Sequence, residues 1–131
     1  MLYLDSSAIV KLVAREVETP DLVEVVRADP EVVSSTLAWT EVVRAVRRAG
    51  GQVSRAMRVL EGIALVPIDD GIVRGAGDLA PVAMRTLDAI HLATALSLGE
   101  ELTSVITYDE RLAEAATIAG MSVETPGRGS P

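Results

Sequence analysis

Four acidic side chains sit at points in the chain where chemistry could be done: Asp5, Glu41, Asp88 and Asp109. Carboxylates gathered in one place hold hard divalent cations, which activate water and offset charge on phosphoryl oxygens. Taken singly, each has a plainer use. Asp5 follows Met1-Leu2-Tyr3-Leu4 and suits a cap for the helix begun by Ser6-Ser7. Glu41 shares a helix side with Arg44 and Arg48, as a solvated face with a weak Glu41–Arg44 pair would. Asp88 lies in the first turn of Thr86-Leu87-Asp88-Ala89-Ile90-His91-Leu92-Ala93-Thr94-Ala95, a stretch apolar on nearly every side and therefore expected to be buried. A cap or helix-dipole role and a bound cation serve equally well there. Asp109 suits a cap for the helix that follows it.

The elements that must bring these residues together alternate between strand and helix. Met1–Asp5 reads as a strand, followed by a helix from Ser6-Ser7 to about Glu18; Thr19-Pro20-Asp21 restarts a helix, with Thr19 as its cap. Glu31–Thr36 is a second strand, Leu37–Ala49 a helix stopped by Gly50-Gly51, Ser54–Glu61 another helix, and Ile63–Ile68 a third strand. Asp69–Leu79 is weakly helical, its three glycines working against it; Thr86–Leu98 is a strong helix ended by Gly99. Ser104–Thr107, the helix Glu110–Ala119 ended by Gly120, and a fifth strand Met121–Glu124 complete the pattern. Residues 1–124 make one domain, and the Gly/Pro/Ser-rich stretch 125–131 is expected to be a flexible tail. Strands joined through helices favour parallel pairing in a sheet covered on both faces, an α/β/α arrangement of about five mostly parallel strands. Ligands of such sheets sit beyond the carboxyl ends of the strands, which points to Asp5, Ser34–Thr36, Asp69-Asp70 and Thr107–Asp109.

The set as a whole is more specific than its members. Leu4-Asp5-Ser6-Ser7-Ala8, Glu41 one turn into the helix after the second strand, Leu87-Asp88-Ala89-Ile90-His91-Leu92-Ala93 and Ile106-Thr107-Tyr108-Asp109-Glu110-Arg111-Leu112 resemble the PIN-domain nucleases, and among them the VapC-type toxins of toxin–antitoxin pairs. The resemblance runs from Met1 to about Glu124, and all four acidic positions of the pattern are filled. It implies a three-layer PIN-like sandwich and a Mg²⁺-dependent endoribonuclease, with Mn²⁺ as a possible substitute. Asp5, Glu41, Asp88 and Asp109 are then both catalytic and metal-holding, while Ser7 and Thr107 orient a water or an acid. It further implies 5′-phosphate and 3′-hydroxyl product ends, a cognate VapB-type antitoxin laid over the groove, and a homodimer. The alternative is a PIN-fold module that only binds protein.

Composition fits and excludes other classes. With 131 residues and 49% hydrophobic content the chain can bury one core, and without cysteine it has neither disulfides nor a zinc–thiolate site. A single histidine rules out a multi-histidine metal cage. No apolar run approaches the ~20 residues of a membrane span, so a soluble, cytoplasmic protein is expected, with no membrane partner. One Trp, two Tyr and no Phe leave little for a base-stacking platform, and Trp39 reads as core. The net charge is −7, yet Thr36–Glu61 carries five arginines against two acids. That is the only net-positive region, and it nominates Arg44 and Arg48 for contact with RNA or a partner. A receiver domain needs a lysine after strand five, whereas the only lysine is Lys11. A dehalogenase-type phosphatase needs an acid where Ser7 stands, and neither a P-loop nor a Gly-x-Gly-x-x-Gly motif occurs. His91 reads as a packed core residue rather than a base, and Asp69-Asp70 as helix caps.

Overall fold

Leu2 and Leu4 project from one side of the first strand and Tyr3 from the other, and all three are buried. This alternation requires cover on both faces. In the computed structural model, which describes residues 1–129, strands β1 (Leu2–Leu4), β2 (Val32–Ser35), β3 (Ala64–Val66), β4 (Ser104–Ile106) and β5 (Val123–Glu124) form one sheet in the order β3-β2-β1-β4-β5. Every pairing is parallel, with Tyr3 opposite Val33 on one side and Val105 on the other. Helices α1 (Ser6–Val13), α2 (Thr19–Ala28), α3 (Leu37–Arg48) and α4 (Val53–Glu61) pack with one another. Their core includes Leu2, Leu4, Ile9, Leu22, Val42 and Leu60, with Trp39 against it. Helix α6 (Thr86–Ser97) packs with α5 (Asp70–Asp78) and α7 (Glu110–Ile118), and the cores there join Tyr3, Ala95 and Val105, and Leu92 and Leu112. The architecture is a three-layer α/β/α sandwich. Among the described residues no helix is long and apolar enough to cross a membrane.

Chain order determines where the site falls. β1, β2 and β3 step outward in one direction; the chain then passes to the far side of β1 to lay down β4 and β5. The reversal lies between β1 and β4, where helices leaving the two strands diverge and open a crevice at the carboxyl ends. Asp5 and Thr107 are the residues that follow those two strands.

Two local expectations are corrected. The first helix stops at Val13 instead of running to about Glu18, because the Thr19 hydroxyl donates to the Lys11 carbonyl at 2.7 Å and takes up the end of the helix. Thr19 is therefore not the cap of α2 but its first residue; that helix has no side-chain cap and carries Pro20 in its first turn. Other stop signals operate as read: Gly50 closes α3 with φ +75°, a conformation that side chains with a Cβ resist. Asp69 caps α5, accepting from the Ile72 amide at 2.8 Å.

The segment from Thr125 lies against the body of the protein. The Tyr108 hydroxyl donates to the Pro126 carbonyl at 2.7 Å, and Arg128 Nη1 donates to the Tyr108 carbonyl at 3.0 Å. Gly127, at φ +84°, passes so close to the turn before α2 that a Cβ would fall 2.7 Å from Glu18 Cα. Glu18 is buried there between Lys11 Nζ, at 3.1 Å, and Arg128 Nε, at 3.4 Å. Ser130 and Pro131, the end of the expected tail, lie outside the described residues.

Candidate active site

Asp5 is the best-held acid. Its backbone is extended, so the side chain turns back over α1 and accepts the Ala8 amide at 3.0 Å. The cap role is thus real, and it uses only part of the carboxylate. Ser7 Oγ donates to Oδ1 at 2.7 Å, and Thr107 Oγ1 donates to Oδ2 at 2.6 Å across the β1–β4 crevice. Both hydroxyls are fixed in turn, Ser7 by the Tyr108 amide and Thr107 by the Asp109 amide. Burial raises the Asp5 carboxyl above the ordinary aspartate value; the bonds from Ser7, Thr107 and Ala8 oppose that rise without cancelling it.

Glu41 stands on α3 above the same crevice and is half-buried. Burial pushes its carboxyl up, yet the hydrogen bonds from His91 and Ser6 outweigh burial and leave it below the usual glutamate value. Ser6 Oγ donates to Oε1 at 2.5 Å, and His91 Nε2 lies 2.6 Å from the same oxygen. No Glu41–Arg44 ion pair forms among the described residues, so the solvated-face reading of Glu41 does not hold. Arg44 and Arg48 are exposed and share with Ser6, Ser7, Thr40 and Glu41 a cleft of about 580 Å³.

Asp88 is half-buried at the start of α6, a helix whose Leu87 and Leu96 are exposed, so its burial is less complete than its composition suggests. No side-chain cap hydrogen bond forms at the start of α6, so the cap reading of Asp88 falls, while its place in the first turn still complements the helix dipole. Burial raises its carboxyl, the nearby Asp109 charge raises it further, and Arg85 only partly compensates. Asp109 caps α7, accepting the Arg111 amide at 2.9 Å with Oδ1. Asp69-Asp70 begin α5, with Asp69 used as its cap.

Of the four acids, Asp88 senses the charges of Asp109 and Glu41. Among the described residues, no group of three or more His, Asp or Glu side chains is arranged to hold a metal ion. The donor set still fits a hard cation in charge and type. It consists of carboxylate and hydroxyl oxygens, and among the described residues no ion pair with lysine or arginine relieves the repulsion between Asp88 and Asp109, which the Arg85 charge only partly offsets. Mg²⁺ suits such an open set because it keeps several waters and takes few ligands directly from protein.

Ser6, His91 and Tyr3 are contacts that sequence reading did not assign to the site. Ser6 was legible only as half of a capping doublet. His91 was legible as a buried residue, and it is buried, but its partners are 50 and 88 positions away.

Sequence and structure comparisons agree. Residues 2–118 match the family model described as PIN domain. The chain is 46% identical over 126 residues to Ribonuclease VapC46 of Mycobacterium tuberculosis, covering 95% of this chain and 97% of that protein. In fold it is similar to Mycobacterium tuberculosis VapC20, described as a sarcin-ricin loop cleaving toxin, with a TM-score of 0.74 at 14% identity over 96% of this chain and 99% of that one. A toxin–antitoxin complex from Klebsiella pneumoniae gives a TM-score of 0.72 at 22% identity, covering 96% and 98% of the two chains. The chain belongs to the PIN domain family, together with the VapC proteins.

Proposed function

We propose that the chain is a Mg²⁺-dependent endoribonuclease that acts as the toxin of a VapBC-type pair. The observation that carries this is the crevice itself. Asp5 and Glu41 are each held by several hydrogen bonds, and the charges of Asp109 and Glu41 act together on Asp88, in a chain nearly half identical to a protein named as a ribonuclease.

Asp5, Glu41, Asp88 and Asp109 would hold the ion, for which Mn²⁺ would substitute. The chemistry supplied at that place would be activation of an attacking water and offsetting of charge on the scissile phosphate and the leaving oxygen. The rest is done by the chain. Ser7, Thr107 and the Ala8 amide fix the Asp5 carboxylate before substrate arrives, which spares reorganisation during the reaction. Arg44 and Arg48, on the open rim of the same cleft, bind backbone phosphates and hold the RNA in register with Glu41. The products end in 5′-phosphate and 3′-hydroxyl. A VapB-type antitoxin restrains the toxin by covering this groove, and the active form is a homodimer.

Sequencing of RNA ends after induced expression tests the reading. New 5′-phosphate ends and growth arrest are expected with the wild type and neither with Asp5→Asn. Equal cleavage by the two proteins, or in EDTA, overturns it; no cleavage and no Mn²⁺ uptake by the wild type favours the protein-binding module.

A further inference from the structure

His91 is the only imidazole in the chain, it is 2% exposed, and both of its ring nitrogens are engaged. Nδ1 lies 2.6 Å from the Tyr3 hydroxyl; Nε2 lies 2.6 Å from Glu41 Oε1 and 3.3 Å from Ser6 Oγ. The partners decide the directions. A carboxylate only accepts, and Oε1 of Glu41 already takes the Ser6 hydroxyl hydrogen, so Nε2 carries a hydrogen toward it. A ring with its one hydrogen on Nε2 offers a lone pair at Nδ1. The Tyr3 phenol, 2.6 Å away, supplies the donor for it. The ring also packs edge-on against Tyr3, with centroids 5.9 Å apart and planes at 74°. Ser6 and His91 both bind Oε1 of Glu41, and neither binds Oε2.

We propose that Tyr3, His91 and Glu41 form a buried positioning relay, in which Tyr3 fixes the ring through Nδ1, His91 anchors Oε1, and Glu41 is left with Oε2 free for the ligand in the cleft. The proposal rests on the nuclease reading for its effect on catalysis, but not for its geometry. His91 is here a positioning residue: it touches neither the RNA nor the ion. Such partners of a ligating carboxylate typically contribute about 10–100-fold in metal affinity or activity.

With one histidine, ¹⁵N-labelled imidazole gives an unambiguous NMR signal in the whole protein, and Mn²⁺ alone serves as the probe of the carboxylates. The wild type should show hydrogen on Nε2 and an acceptor at Nδ1. Tyr3→Phe keeps the ring and the Nε2 hydrogen but removes the donor at Nδ1, so the Nδ1 resonance should move to that of a bare acceptor, with Mn²⁺ affinity and kcat lowered about 10-fold and KM for RNA unchanged. His91→Leu should lower kcat about 100-fold, and His91→Gln, which retains an amide donor for Glu41, should recover about 10-fold of that loss. Hydrogen on Nδ1 in the wild type overturns the relay. So does a folded His91→Leu protein with unchanged Mn²⁺ affinity and kcat. Should His91→Leu not fold, an unchanged Nδ1 resonance and Mn²⁺ affinity in Tyr3→Phe overturn it instead. Relay-dependent Mn²⁺ binding by a wild type that cuts no RNA supports the relay and sinks the nuclease reading.

Discussion

The two halves of the crevice are built differently. On the β1 side, Asp5 is buried and accepts three hydrogen bonds, from Ala8, Ser7 and Thr107, two of these residues being on the helix it caps. On the α6–α7 side, Asp88 is half-buried without a cap bond, and its strongest charged neighbour is another acid, Asp109. One half is fixed by hydrogen bonds before any ligand arrives; the other carries like charge that Arg85 only partly offsets and that a cation would relieve. Under the proposed function, the fixed half would supply geometry and the open pair affinity.

The largest expected effect treats the halves alike. Asp5→Asn and Asp88→Asn should each lower RNA cleavage by more than about 100-fold, beyond the loss typical of residues that only support a ligand. Steady-state cleavage at saturating Mg²⁺ measures this, and a variant of either residue within tenfold of wild type breaks the parity. Stability should then separate them. In EDTA, Asp5→Ala should cost about 2–3 kcal/mol in urea unfolding, because it removes a helix cap and leaves the Ser7 and Thr107 hydroxyls and the Ala8 amide without their acceptor. Asp88→Ala should be neutral or stabilising, since it removes repulsion and orphans no donor. Equal losses would erase the distinction between the halves.

Thr107→Val sharpens the β1 side. It keeps the shape of the side chain but removes the donor to buried Asp5 and the acceptor for the Asp109 amide, for about 1.5 kcal/mol in the same assay. The smallest effect is a pH slope. Asp88 is raised in the folded state, so the native protein binds its proton more readily than the unfolded chain does. Stability without metal should therefore fall as pH rises from the ordinary aspartate value through the raised one. Asp88→Asn should show a shallower fall than wild type over that window, read from melting curves at stepped pH; a steeper fall contradicts the repulsion assigned to the pair.

How far the sequence speaks depends on how local the cause is. Asp5, Asp69 and Asp109 each cap a helix within three residues, and Gly50 ends one by its own φ, so these were readable from short windows. The parallel three-layer arrangement followed from strands separated by helices. The end of α1 was not readable, because Thr19 bonds backward to Lys11 instead of capping forward, a choice made by packing of the turn around buried Glu18. Glu41 shows the same limit within the site. Its sequence neighbours Arg44 and Arg48 suggest a surface pair, whereas its actual partners come from β1's following turn and from α6. A side chain between two helices can be assigned by pattern to a face, but the hydrogen bond it makes there is set by tertiary contact.

Anomalous diffraction from crystals grown with Mn²⁺ tests the central claim most directly. A manganese peak in the crevice, coordinated by carboxylate oxygens of both Asp5 and Asp88, is the expected result. A peak bound elsewhere, or none in the crevice at saturating Mn²⁺, contradicts the claim that the rigid and the open halves share one ion.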